Sequence, residues 1–160
     1  MKTALITGGS RGIGRAIALE LGKSCYVAVG YTSSKDSAEE VVGEIVKSGG
    51  EATAIQIDVT SSESIENAFT IIEKELNGVD ILVNNAGITK DNILPRIKED
   101  DWNDVINTNL TGSFKTSQRA IKHMMKNKWG RIVFISSIVG IVGNQGQANY
   151  AASKAGLIGL

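Results

Sequence analysis

The 160 residues are enough for one domain with a core of its own, near the lower edge of what an α/β enzyme needs. Lys+Arg and Asp+Glu balance at 17 each, so no excess charge points to nucleic acid or to an anionic membrane as partner. The single cysteine, Cys25, excludes an internal disulfide and any multi-cysteine metal site, and no apolar run approaches the roughly 18 residues that span a bilayer.

In chain order, short apolar runs alternate with helical patterns. Residues 4–7 are a strand, reached directly from Met1 with no signal-peptide pattern, which makes the cytoplasm the expected location. A helix over 14–23 leads to a strand over 26–31, with Cys25 ahead of it as a buried structural thiol. The next helix runs over 37–48, with Ser37 and Glu40 at capping-box spacing and Gly49-Gly50 at its end. A strand over 51–57, a helix over 62–76 and a strand over 80–84 follow. The rest reads as a helical run over 98–126, a strand over 131–136 and a helix from Asn149 onward. Near-continuous apolar strands alternating with helices predict an α/β fold, a doubly wound parallel sheet covered on both faces. No repeat or linker divides residues 1–160, so they form a single domain. The fifth strand is left with a bare edge, an aggregation liability.

Thr7-Gly8-Gly9-Ser10-Arg11-Gly12-Ile13-Gly14 joins the first strand to the first helix. Glycines let a backbone turn sharply and approach a pyrophosphate, and the helix N-terminus behind offers free N–H groups. The spacing is not G-x-G-x-x-G, and Arg15 and Ala16 stand where a Walker loop needs Lys and Ser or Thr. Gly8-Gly9-Ser10-Arg11-Gly12 does match the G-x-S-x-G nucleophile elbow. A hydrolase on Ser10 would need a histidine, however, and the only one, His123, falls in a lysine-rich run where a solvated position is expected.

Tyr150 and Lys154 stand four residues apart, on one face of a helix, with Ser137 upstream. A neighbouring ammonium stabilises phenolate, so such a tyrosine can pass a proton to a carbonyl oxygen.

These motifs, with Asn84-Asn85-Ala86-Gly87 and Asn109, resemble those of the short-chain dehydrogenase/reductase family, in order and across nearly the whole chain. Within it, the segments from Gly87 to Asn92, from Trp102 to Ile106 and from Gly143 to Tyr150 look most like the bacterial branch that reduces 3-oxoacyl thioesters. The resemblance implies a Rossmann-like sheet with strand order 3-2-1-4-5, and reduction of a 3-oxoacyl group on acyl carrier protein in fatty acid synthesis. It assigns Tyr150 as proton donor and Lys154 as its partner and ribose ligand. Ser137 would bind the substrate carbonyl, and Asn109 would position a water that relays protons to Lys154. For the cofactor it implies Gly8, Ser10, Arg11, Gly12, Ile13 and Gly14, then Asp58 and Val59, then Asn85, Ala86 and Gly87, with Thr108 beside the ribose. Asn84 would brace the sheet and border the cofactor.

The second strand ends Tyr31-Thr32-Ser33-Ser34-Lys35, with no acid before Asp36 to take a ribose 2′-hydroxyl. Thr32 and Arg11 then favour NADPH. No metal site is expected, and a homodimer or homotetramer is implied. Family members continue with two more strands, so the resemblance also implies a chain incomplete at its C-terminus. The alternatives are an acetoacetyl-CoA or small-ketone reductase, or a nucleotide-binding fragment with little or no catalysis.

Overall fold

Why the middle strands are largely apolar is answered by what lies above and below them. The structure is a computed structural model and describes all 160 residues. β1 (Lys2–Ile6), β2 (Cys25–Tyr31), β3 (Glu51–Gln56), β4 (Ile81–Asn84) and β5 (Arg131–Phe134) pair in parallel in the order β3-β2-β1-β4-β5. The register sets Ala4 beside Val27 and Ile81, and Leu5 beside Ala28 and Leu82. Side chains alternate between faces along a strand, so two cores form. Ala4, Ile6, Val27, Val29 and Val83 face one side and meet Ala18 of α1 (Gly12–Leu21) and Ala38, Val41 and Ile45 of α2 (Lys35–Lys47). Leu5, Ala28, Ile55 and Leu82 face the other and meet Ile65, Phe69 and Ile72 of α3 (Ser62–Leu76). The anticipated architecture and strand order are observed, and Cys25 is buried in the first of these cores.

The helical run after β4 is continuous but not uniform. α4 (Glu99–Ile106) passes through one π-helical turn, Asn107–Thr111, into α5 (Gly112–Lys126), which adds Ala120 and Met124 to the second core. Two further helices follow β5: α6 (Val139–Val142), an addition to the expected elements, and α7 (Ala148–Gly159). β5 forms one edge of the sheet, with Arg131 and Val133 exposed.

Two expectations are corrected. The first backbone bond of α2 runs from Ala38 N–H to Ser34 C=O, so the helix starts before Ser37 and the Ser37/Glu40 capping box does not form. The side-chain cap occurs instead at α3, where Ser61 Oγ accepts the Ser64 N–H at 3.2 Å. His123 is not fully solvated: it lies against Gly78, and its Nε2 is 3.7 Å from Asp80 Oδ1.

Asp80 ties the N-terminal ends of β1 and β4 together. Its carboxylate accepts the Thr3 N–H at 3.0 Å and the Lys2 ammonium at 3.1 Å. Burial alone would raise its pKa, but the Thr3 N–H and Lys2 outweigh burial and hold it below the usual carboxylate range. Asp80→Ala is therefore expected to cost about 1–3 kcal/mol at neutral pH. The Asp80 contribution is present above the unfolded carboxyl pKa of about 4 and is lost as pH falls through the lowered folded value. Denaturant unfolding of both proteins should show a gap that closes in acid; equal midpoints at pH 7 contradict this.

Candidate active site

The turn after β1 is shaped by close contact with the turn after β4. Gly8 adopts φ +62°, and a Cβ there would lie 3.1 Å from Ala86 Cα. At Gly14 a Cβ would lie 2.2 Å from the Gly8 carbonyl oxygen, so only glycine lets α1 begin so close beneath the turn. Gly12 differs. It needs glycine for its φ of +56°, and nothing lies within 4 Å of its open side. Thr7 locks the arrangement: its Oγ1 accepts the N–H groups of Asn85 and Ala86, each at 3.1 Å, and donates to Val83 C=O at 3.3 Å. The Asn85 side-chain amide donates to the carbonyls of Thr7 and Gly8 at 3.0 and 2.9 Å.

A cleft of about 610 Å³ opens above this junction. It lies where the strand order reverses, between β1 and β4, the usual ligand crevice of an open parallel sheet. Gly8, Ser10, Arg11, Gly12 and Ile13 line it from the glycine turn, and Asn85, Ala86, Gly87 and Ile88 from the turn after β4. Asp58, Val59 and Thr60 enter after β3, and Thr108 from the π turn. Tyr31, Thr32, Ser33 and Ser34 close the far end; Asp36 is not among the lining residues.

Most of the residues anticipated for the cofactor line this cleft; Gly14, Tyr150 and Lys154 do not. Gly14 is buried under the turn instead of lining the cleft, because its role is to let Gly8 and Asn85 approach. Asn84 is also buried; its amide bonds Thr116 at 2.6 Å and Ser117 at 3.0 Å, bolting β4 to α5. The Asp58 carboxylate is partly engaged, accepting the Thr60 N–H and hydroxyl at 2.9 and 2.7 Å. The volume, the glycine cradle and the hydroxyls of Thr32, Ser33 and Ser34 along the lining fit a dinucleotide.

Beyond Gly87 stand the residues anticipated for chemistry. α7 presents Tyr150 and Lys154 on one face, with the Lys154 ammonium 5.6 Å from the Tyr150 ring centre. Lys154 is only 5% exposed, has no acidic partner, and donates to the Ile135 carbonyl at 2.7 Å. Burial lowers its pKa. Its Nζ lies 3.7 Å from where a Gly87 side chain would begin, and Asn109 Oδ1 lies 3.3 Å from the same point. Ser137 is half-buried two residues past Ile135, its Oγ accepting the Val139 N–H at 3.2 Å.

Asn109 sits in the π turn and is fully buried. Its Oδ1 accepts the Ile88 N–H at 2.8 Å, and its Nδ2 donates to Ile88 C=O and to Ser153 Oγ, both at 3.0 Å. Its backbone carbonyl accepts Ser113 Oγ at 2.8 Å. Both amide hydrogens are therefore committed, which leaves no side-chain donor for the anticipated relay water. Thr7 and Ser153 were not singled out from the sequence. Thr7 could have been noticed as the residue opening the glycine turn, and Ser153 by its three-residue spacing from Tyr150.

A buried ammonium without a counter-charge leaves a pH signature. Its penalty is fully present below the folded-state pKa and is relieved as pH rises toward the unfolded value of about 10.4. The stability of the wild type relative to Lys154→Met should therefore increase from pH 7 toward pH 10 in denaturant unfolding. A difference independent of pH contradicts the burial of a charged Lys154.

Known proteins can be set beside this geometry. The family model described as short chain dehydrogenase matches residues 2–160. A 3-oxoacyl-[acyl-carrier-protein] reductase FabG of Staphylococcus epidermidis is 52% identical over 160 residues, which is 99% of this chain and 66% of the relative. Proteins of the same name from Staphylococcus aureus and Pseudomonas aeruginosa are 51% and 48% identical, with 99% of this chain covered in each case and 65% and 64% of the relatives. The chain thus spans about two thirds of the length of these curated relatives. With the family model matched from β1 to α7, the chain belongs to the short-chain dehydrogenase family.

Proposed function

We propose that this chain carries the cofactor cleft and the proton-transfer residues of a reductase that converts a 3-oxoacyl thioester on acyl carrier protein to the 3-hydroxyacyl thioester with NADPH. The observation that carries the reading is the meeting at Gly87 of the cleft with the Lys154 ammonium and the Asn109 amide. The names of the relatives support the thioester substrate.

Ser10, Arg11, Gly12 and Ile13 would hold the pyrophosphate, Asp58 and Val59 the adenine, and Asn85 to Gly87 the nicotinamide side. Thr32, Ser33, Ser34 and Arg11 would take a 2′-phosphate; Asp58, the only acid in the cleft, has its carboxylate bonded to Thr60. NADPH supplies the hydride when bound. The Tyr150 hydroxyl gives its proton to the substrate's carbonyl oxygen, and Ser137 Oγ donates a hydrogen bond to the same oxygen as charge develops there. Lys154 sits beside the phenolate that remains, and would hold a ribose hydroxyl of the cofactor. Asn109 braces the floor of the site through Ile88.

The same reading places the enzyme in the cytoplasm as a homo-oligomer. Trp102 on α4 and Phe114 and Ile121 on α5 are exposed apolar side chains available for subunit contact. No helix is long and apolar enough to cross a membrane.

With an acetoacetyl thioester, the wild type should consume NADPH, and Tyr150→Phe should lower kcat by about 10²–10⁴-fold while NADPH binding is retained. Absence of thioester-dependent NADPH loss in the wild type overturns the reading.

A further inference from the structure

Both backbone polar groups of Tyr150 lead, through side chains, to one short segment after β4. Its N–H donates to Asn149 Oδ1 at 2.8 Å, and Asn149 Nδ2 donates in turn to the Lys90 carbonyl at 2.9 Å. Its C=O accepts the Ser153 hydroxyl at 2.8 Å; Ser153 Oγ in turn accepts from Asn109 Nδ2, and Asn109 grips Ile88. Asn149, Ser153 and Asn109 are all 0% exposed. The segment 88–90 begins at the edge of the cleft, and the Lys90 ammonium is paired with Asp101 at 3.0 Å and Asp104 at 2.7 Å on α4.

An ordinary helix start does not require this. The first N–H groups of a helix are usually satisfied by the N-cap side chain. Here the N-cap residue, Gln147, makes no such bond; its side chain meets Asp91 at 3.0 Å and Asn144 at 2.8 Å. Asn149, already inside the helix, takes the Tyr150 N–H and uses its other end to dock that turn against Lys90.

We propose that Asn149 is a positioning residue for Tyr150, setting where the phenol stands relative to the cleft by clamping the first turn of α7 to the Ile88–Lys90 segment. The proposal rests on the reductase reading above. An aspartate at 149 would still accept the Tyr150 N–H, and would suit a helix start, but it would repel the Lys90 carbonyl oxygen. Capping and clamping can therefore be separated.

In the full chain, Asn149→Ala and Asn149→Asp are compared with the wild type. The readouts are kcat with an acetoacetyl thioester, NADPH affinity by nicotinamide fluorescence, and the solvent deuterium isotope effect on kcat. Clamping predicts that both variants lose about 10–100-fold in kcat, since a displacement near 1 Å at a reacting group costs on that order. NADPH affinity should stay within about twofold, because Asn149 lies outside the cleft. The isotope effect should rise as proton transfer becomes limiting.

Retention of kcat by Asn149→Asp overturns the proposal, as does a loss of NADPH affinity in parallel with kcat. If Asn149→Ala does not fold, Asn149→Asp decides alone. If the wild type shows no turnover, the reductase reading fails instead, and the clamp is read from hydrogen exchange at Tyr150 and Ala151. Faster exchange in Asn149→Asp supports the clamp; unchanged exchange overturns it.

Discussion

The saturated hydroxyl of Thr7 is the constraint on which the site depends. Its oxygen accepts two backbone N–H groups from the turn after β4 and its proton goes to Val83, so every hydrogen-bonding direction it has is used. Two loops that belong to different halves of the sheet are thereby held as one surface. Strand order creates a crevice at this point, but order alone does not bring the loops into contact. Asn85 adds the second tie, and glycine at positions 8 and 14 removes the side chains that would hold the loops apart. The cradle that results has a floor tied from both loops.

The same turn meets the residues proposed for proton transfer at its other end. Gly87 continues from Ala86, and the Lys154 ammonium and the Asn109 amide both lie close over it. An ammonium this buried is costly without a carboxylate partner, and the Ile135 carbonyl offsets only part of that cost. The remainder is tolerated because α7 is held from several sides. Ser136 Oγ bonds the Lys154 carbonyl at 2.8 Å, and Gly140 of α6 allows the α7 backbone to approach closely.

Much of this was legible in the sequence for a physical reason. Strands such as Ala4-Leu5-Ile6 and Val27-Ala28-Val29 are apolar at every position, which only a sheet covered on both faces explains. Glycines 8, 12 and 14 announced a tight turn, and the spacing of Tyr150 and Lys154 announced a shared helix face. What stayed hidden depends on distant partners. That Gly14 serves packing and not the cleft is decided by the Gly8 carbonyl and Asn85. That Asn109 has no free amide hydrogen is decided by Ile88 and Ser153, the latter 44 residues away. The π turn, the short α6 and the sheltered His123 likewise arise from tertiary contact, which no local pattern encodes.

Hydrogen exchange with and without NADPH tests most directly whether the cleft and the α7 face act as one site. Protection is expected together at the glycine turn, at residues 32–34, 58–60 and 85–88, and at residues 150–154. Protection confined to the glycine turn, with α7 unaffected, would contradict a single site built across Thr7 and Gly87.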